Sequence, residues 1–360
     1  MSSLAPTLGL LVLAALALAG SASPVAGSAS PVADSATRLR LMTYNVHAWR
    51  DSAHVDNLER LIELVNRIDP DVLCLNEVLH PFAGPPADDP YWSEVLERRG
   101  HGLEPPAGCR PASDAPEAYL NRLVRATGLE HCAFVAANEA GCFFGRLPFG
   151  NAILSRHRLR GVQSRVLQVT ADDLTLGSQA RTEADLEPRS ALTAIVEAPG
   201  GAALGVCCTH LDHKAEELRE RQIGEAIAFS DAALGVPHII CGDLNTFGRD
   251  DLSPEAWDGV CQHYASAGWP PPPEESMVLR QLAAQGYEDA FANWRRSCAT
   301  ATGHAPLTCW TQKPLFRLDY VLLSPGGWTV LDHCTLDSSA SDHFPVVVEL
   351  ELDGGPAASA

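Results

Sequence analysis

Eight polar residues carry the chemistry that this chain offers: Asn45, Glu77, His210, Asp243, Asn245, Asp319, Asp342 and His343. Each abuts a short apolar run, in the pieces Met42-Thr43-Tyr44-Asn45, Leu73-Cys74-Leu75-Asn76-Glu77, Cys208-Thr209-His210, Cys241-Gly242-Asp243-Leu244-Asn245, Leu318-Asp319-Tyr320 and Ser341-Asp342-His343. A short apolar run bounded by a turn signal reads as a buried strand. Residues at strand ends converge on a rim, where a rigid scaffold presents side chains to a ligand. The inventory is carboxylate, carboxamide and imidazole, with no thiolate cluster. Hard oxygen donors of this kind suit Mg²⁺, Mn²⁺ or Ca²⁺ better than zinc or copper. The chemistry they support is metal-assisted attack on a phosphate ester.

Positioning these residues requires strands that end together. Residues 39–44, 72–75, 151–154, 238–241, 319–323 and 346–350 read as strands, and residues 191–197 and 203–209 as a hairpin about Pro199-Gly200-Gly201. Residues 133–144 read as paired strands. Helices are expected over residues 55–68, with Val55, Leu58, Leu61, Ile62, Val65 and Ile68 on one face, and over 118–127, 214–233 and 276–284. Residues 80–117 read as a long loop around one short helix near 91–99, while 161–190 and 247–273 carry no signature. Strands alternating with helices, with hairpins among them, predict mixed rather than purely parallel sheets.

With 360 residues, 46% of them apolar, the chain can bury one large core. A single domain is expected over residues 38–352, followed by a flexible tail at 353–360. The net charge of −19 argues against a broad, non-specific grip on a nucleic-acid backbone, which depends on Lys and Arg neutralising phosphates. Residues 8–19 (LGLLVLAALALA) have the length of a signal-peptide apolar region and are too short for a membrane span of ~20 residues. The expectation is a signal peptide over 1–27, an Ala/Ser/Pro-rich spacer over 28–37 and a secreted, monomeric product with no transmembrane span, although the usual basic leader residues are missing. Of the 11 cysteines, Cys74, Cys207, Cys208 and Cys241 lie in expected strands and read as small buried apolar residues. The other seven sit in or beside expected loops, where disulfides form if the chain is exported.

Taken together, TYNVH (43–47), LNEV (75–78), FGNAILSR (149–156), CTHLDHK (208–214), CGDLNT (241–246), LDYVL (318–322) and SDHFPV (341–346) resemble the endonuclease/exonuclease/phosphatase superfamily with its deoxyribonuclease-I-like fold. Each motif alone is modest; the order and spacing of all seven make the resemblance specific. It implies a four-layer α/β sandwich, two packed mixed β-sheets flanked by helices, with the site at one end. It also implies roles: Glu77 as chief Mg²⁺ ligand, with Mn²⁺ as an alternative ion, Asn45 beside it and Asp342 helping to hold the metal. Asp243 would orient and deprotonate water, and Asn245 would donate to developing charge. His343 would contact a phosphate oxygen with Asp319 behind it, and His210 would face the phosphate or assist the leaving group.

Other polar residues near the motifs have blander readings. His47, His80 and His213 read as structural or surface residues, Asp212 as a cap for the following helix, and Arg146 and Arg189 either as solvated or as contacts to a second phosphate. Two branches of the superfamily fit poorly. The segment 313–319 (KPLFRLD) departs from the Pro-Ala-Trp-Cys-Asp-Arg-like stretch of inositol-polyphosphate 5-phosphatases, and the chain lacks the basic surface of abasic-site endonucleases. Three functions stay open: a metal-dependent phosphodiesterase or phosphomonoesterase, a secreted nuclease acting on DNA or RNA, and a catalytically silent binding module. The intact acidic and histidine set disfavours the last.

Overall fold

In the computed structural model, residues 37–80, 118–142, 145–167, 169–170, 172–173, 187–269, 271–298, 304 and 306–352 are described. The expected signal peptide, nearly all of the spacer, the tail, the helix near 91–99 and most of the long loop around it lie outside them. One sheet has the order β11-β12-β1-β2-β4-β3, built from β1 (Thr37–Asn45), β2 (Val72–Leu79), β3 (His131–Cys142), β4 (Gly145–Ser155), β11 (Trp328–Thr335) and β12 (Val346–Leu352). The other has the order β5-β6-β7-β8-β10-β9, from β5 (Leu159–Leu167), β6 (Arg189–Glu197), β7 (Ala203–His210), β8 (His238–Asp243), β9 (Glu288–Asp289) and β10 (Asp319–Leu323). These are two mixed six-stranded sheets with helices outside them, as expected. Among the described residues, no helix is long and apolar enough to cross a membrane.

The strands are apolar on both faces because each sheet is covered on both. In β1, Leu39 and Leu41 enter the layer between the sheets, with Val72, Ile153, Val206 and Ile239. The alternate residues Met42 and Tyr44 face outward into a second layer with Leu61, Leu64 and Leu123. That layer is closed by α1 (Leu58–Ile68) and α2 (Tyr119–Thr127). Ile223, Ile227, Val278 and Leu282 from α3 (Glu216–Leu234) and α5 (Met277–Ala284) cover the second sheet. At about 1.5–3 kcal/mol for each fully buried large aliphatic side chain, these layers dominate the stability of the fold.

Each sheet contains one parallel pair, β1 with β2 and β7 with β8, among otherwise antiparallel neighbours. Parallel strands finish at the same edge, so Asn45 lies in register with Asn76, and His210 and Asp243 end adjacent strands. Antiparallel β10 and β6 start where those strands finish, with Asp319 opposite Asp243 and Ser190 opposite His210. Antiparallel β12 is entered from the same edge, after Ser341, Asp342 and His343. One end of the sandwich therefore collects every motif.

Several elements differ from expectation. The helix expected from residue 55 begins at Leu58, and Val55 is 57% exposed rather than on the apolar face. Strand β5 (Leu159–Leu167) runs into the segment 161–190, which has no readable signature. Within 247–273 lies a complete helix, α4 (Pro254–Ser266), started by the Ser253 hydroxyl accepting from the Ala256 amide and by proline in its first turn. Those start signals were legible, but the helix's weakly patterned face and the adjacent proline run obscured it. A further helix, α6 (Ala290–Ser297), and strand β11 were not anticipated. Cys74, Cys207, Cys208 and Cys241 are buried free thiols, as their strand positions implied, and the thiols of Cys261, Cys309 and Cys334 are also free.

Candidate active site

Asp243 stands at the centre of the rim. Its position depends on Gly242, whose φ of +133° is open to glycine, and whose added Cβ would lie 2.0 Å from the Thr209 carbonyl oxygen. The Asp243 amide donates to Asn76 Oδ1 (2.9 Å). Its Oδ1 accepts from the Asn245 amide (2.9 Å) and its Oδ2 from Asn45 Nδ2 (3.0 Å). Burial pushes the Asp243 carboxyl up to about 7; His343 pulls it down and Asp319 pushes it further up. A carboxyl near neutrality is poised to take a proton.

Two imidazoles flank it, each with Nε2 at 3.6 Å from Asp243 Oδ2. His343 Nδ1 donates to Asp319 Oδ2 at 2.8 Å, which fixes the ring. Burial opposes a charge on His343, but Asp319, Cys309 and Asp243 outweigh it and hold its pKa well above the usual histidine range. His210 goes the other way: burial, then Arg189, His343 and His213, hold its pKa well below that range. Its Nδ1 faces Arg189 Nη1 at 3.3 Å. A guanidinium only donates, so Nδ1 accepts there, while Nε2 faces both Asn245 Nδ2 at 3.0 Å and Asp243 Oδ2. The two rings thus differ in charge because one has a carboxylate behind it and the other an arginine.

Glu77 reaches the rim through an irregularity in the pairing of β2 with β4 between Leu75 and Val78, with Glu77 at φ +57°. A bulge redirects one side chain without ending the strand. Asn45 joins the two sheets here: its Nδ2 donates to Glu77 Oε1 as well as to Asp243 Oδ2, both at 3.0 Å. Its Oδ1 accepts the His47 amide at 2.9 Å, which fixes the orientation of the carboxamide. Asn45 therefore presents a donor nitrogen to the carboxylates, whereas a metal ligand would present oxygen. Glu77, His210 and Asp243 can place one ligand atom each within 4.8 Å of one another, as can Asp243, Asp319 and His343. Asp342 belongs to neither group. It lines the same cavity, 3.6 Å from His47 Nδ1. Asn245 donates to the Leu211 carbonyl at 3.1 Å and lies 3.0 Å from His210 Nε2.

Beneath the rim lies a buried polar clamp. Asn76 Nδ2 donates to Asn151 Oδ1 (2.8 Å) and to the Thr209 carbonyl (3.0 Å). Asn151 in turn donates to the Ser190 carbonyl and hydroxyl, so the clamp ties one sheet to the other. Asn76 and Asn151 stand inside the LNEV and FGNAILSR motifs but gave no sign of this role. Arg189 is a clear correction to the solvated reading: it is 5% exposed, between His210 and His213. His47 and His213 also line the cavity, whereas His80 is buried elsewhere, and burial lowers its pKa to about 3. Asp212 Oδ1 accepts the Lys214 and Ala215 amides, which closes the turn just before α3 rather than capping the first helical amides as expected. The side chain of Arg146 lies outside the described residues.

The sequence matches the model of the Endonuclease/Exonuclease/phosphatase family over residues 42–343. The chain belongs to that family. The match opens at Met42 in β1 and closes at His343, so it spans the first and last rim residues of the site. Family members are hydrolases of phosphoester bonds and use divalent metal. No curated protein matches the sequence significantly. Among solved structures, an endonuclease/exonuclease/phosphatase from Beutenbergia cavernae DSM 12333 is 23% identical with a TM-score of 0.57, over 89% of this chain and 73% of that one. A mannosyl-6-phosphatase from Bacteroides thetaiotaomicron VPI-5482 is 15% identical, with a TM-score of 0.53 over 87% of this chain and 99% of its own. The human Nocturnin catalytic domain with bound sulfate is 16% identical, with a TM-score of 0.50 over 90% and 99% of the two chains. At these identities the likeness is one of fold.

Proposed function

We propose that this protein hydrolyses a phosphoester by in-line attack of water activated at Asp243. The observation that carries the reading is the pairing of a buried carboxyl near pH 7 with a protonated His343 braced by Asp319. Asp243 Oδ2 accepts the water proton as the water oxygen bonds to phosphorus. The ester P–O bond breaks, the leaving oxygen takes a proton from solvent water and departs as an alcohol, and Asp243 returns its proton to solvent. His343 Nε2 donates to a phosphoryl oxygen, Asn245 supports the developing charge, and His210 faces the phosphate or the leaving oxygen. No enzyme-bound covalent intermediate is required.

The donors at the rim fit a hard cation: the Glu77 and Asp243 carboxylates group together, and Asp342 stands in the same cavity. Glu77, with Asp342, would hold Mg²⁺, or Mn²⁺ in its place, and Asn45 would orient Glu77 against Asp243. Bound there, the cation would supply positive charge against the phosphoryl oxygens. A −19 chain favours a small phosphoester over a long polyanion, and secretion rests on the apolar leader alone.

The deciding assay is hydrolysis of a panel of nucleotides, sugar phosphates, bis-p-nitrophenyl phosphate, DNA and RNA, with Mg²⁺ and with EDTA. Cleavage abolished by EDTA, and reduced at least a thousandfold in Asp243→Asn and His343→Ala at unchanged circular dichroism, is expected. Turnover by either variant at a rate comparable to the parent would exclude the mechanism.

A further inference from the structure

The carboxylate rim is one wall of a cavity of about 630 Å³, within the range of pockets that enclose small ligands. A second part of its lining is aromatic: Phe247, His263, Tyr264, Trp269, Trp310 and Phe316. These rings brace one another in series. Phe247 stands 5.3 Å from Phe316, Phe316 5.1 Å from Trp310, and Trp310 4.9 Å from His263 at 81°. Trp269 then meets His263 at 5.5 Å and 88°, and Tyr264 at 5.2 Å and 90°. Edge-to-face contacts of this kind fix ring orientation, so the wall is preorganised.

Its two tryptophans are not covered. Among the described residues, three large hydrophobic side chains are exposed, and two of them are Trp269 (37%) and Trp310 (40%), both facing this cavity. Trp310 is also fastened to the catalytic edge. Its neighbour Cys309 forms a bridge with His343, and Thr311 donates its amide to the Asp342 carbonyl (3.0 Å) and its hydroxyl to the Ser341 carbonyl (2.9 Å). An uncovered indole is thus held one residue from a strand-like pairing with the imidazole that would touch the phosphate.

We propose that this wall is a subsite for a planar heteroaromatic ring carried on the alcohol side of the phosphoester, which makes the substrate class a nucleoside phosphate or a short oligonucleotide end. The inference rests on the phosphoesterase reading of the same cavity. Stacking on aromatic side chains is tolerant of base identity and needs no cationic track, in keeping with the acidic balance of the chain. Trp310 provides the platform nearest the phosphate, and Trp269 and Tyr264 on or beside α4 extend it outward.

The test is equilibrium binding to the Asp243→Asn protein, read by tryptophan fluorescence and by calorimetry, with Mg²⁺ present. Three probes are compared: adenosine 5′-monophosphate, ribose 5-phosphate, which lacks only the base, and mannose 6-phosphate. The nucleotide should bind about ten- to a hundredfold more tightly than ribose 5-phosphate, the factor expected of one base stacked on aromatic rings. Trp310→Ala should bring that ratio close to one, Trp310→Phe should retain most of it, and circular dichroism should confirm both folds. Equal binding of the nucleotide and ribose 5-phosphate to the parent overturns the proposal, as does a ratio that survives Trp310→Ala. Mannose 6-phosphate binding as tightly as the nucleotide, with both weakened alike by Trp310→Ala, would make the wall a sugar platform and also overturn it. Binding does not depend on turnover, so loss of the base preference in a protein that still hydrolyses esters refutes this inference alone.

Discussion

Replacing Asn76 with alanine isolates the clamp beneath the site from the chemistry above it. Asn76 is fully buried and touches Asn151, the Thr209 carbonyl and the Asp243 amide at 2.8, 3.0 and 2.9 Å. None of the three would find water in its place, because the surrounding strands are apolar and closely packed. A net hydrogen bond contributes about 1 kcal/mol, and a buried partner left unsatisfied costs about 1–3 kcal/mol. Taken at the lower half of that range, because the strands relax around the smaller side chain, three such losses place the destabilisation of Asn76→Ala at about 3–5 kcal/mol, below the middle of a typical total of about 5–15 kcal/mol. The variant should therefore fold at 25 °C, with its melting temperature lowered by roughly 6–20 °C on a scale of about 2–4 °C per kcal/mol. Turnover should fall more than the folded fraction does, because Asp243 loses the acceptor that holds its backbone. Asn151→Ala, which leaves the Asp243 amide contact in place, should lower stability with a smaller loss of kcat. Urea titrations and kcat measured on the same preparations supply the assay. A loss below about 1 kcal/mol for Asn76→Ala would refute the clamp, and equal loss of kcat in the two variants would refute its link to Asp243.

Other outcomes follow from the same geometry. With Asp243 as base and its carboxyl pushed up to about 7, the active form is the deprotonated one. At a fixed, saturating Mg²⁺ concentration kcat/KM should fall tenfold per pH unit below the carboxyl's pKa and stay level above it until His343 loses its proton, and a profile flat from pH 5 to 8 would remove Asp243 from the role. Arg317 is 4% exposed and pairs with Asp251 and Asp289 at 2.8 and 2.6 Å, its guanidinium 4.3 Å from the centroid of the Tyr320 ring. Arg317→Ala leaves two partly buried carboxylates without their partner and should cost about 3–5 kcal/mol in urea unfolding; a cost under 1 kcal/mol would mean that water replaces the guanidinium.

Which polar residues gather at one end of the sandwich was legible in the sequence, because strand ends beside turn signals select a few of them from an apolar background. Asp243, Asn245, His343, Asp319, His210, Glu77, Asn45 and Asp342 all stand at the end of the sandwich that those signals predicted, and the family and the four layers followed from their order. Their electrical states were not legible. His210 and His343 are the same residue type at similar strand ends, yet one is neutral behind Arg189 and the other charged in front of Asp319. Asn45 faces the carboxylates through nitrogen because the amide of His47 claims its oxygen. Asn76, Asn151 and Arg189 owe their positions to partners on other strands, and the aromatic wall needs α4, Trp269 and the turn at 309–316 to meet. Periodicity records which face of an element is apolar over a few neighbouring residues. Charge and cavity shape are fixed by groups on other strands, from 21 residues away for Arg189 and His210 to 198 for Asn45 and Asp243, and only the packed sheets bring those groups within hydrogen-bonding distance.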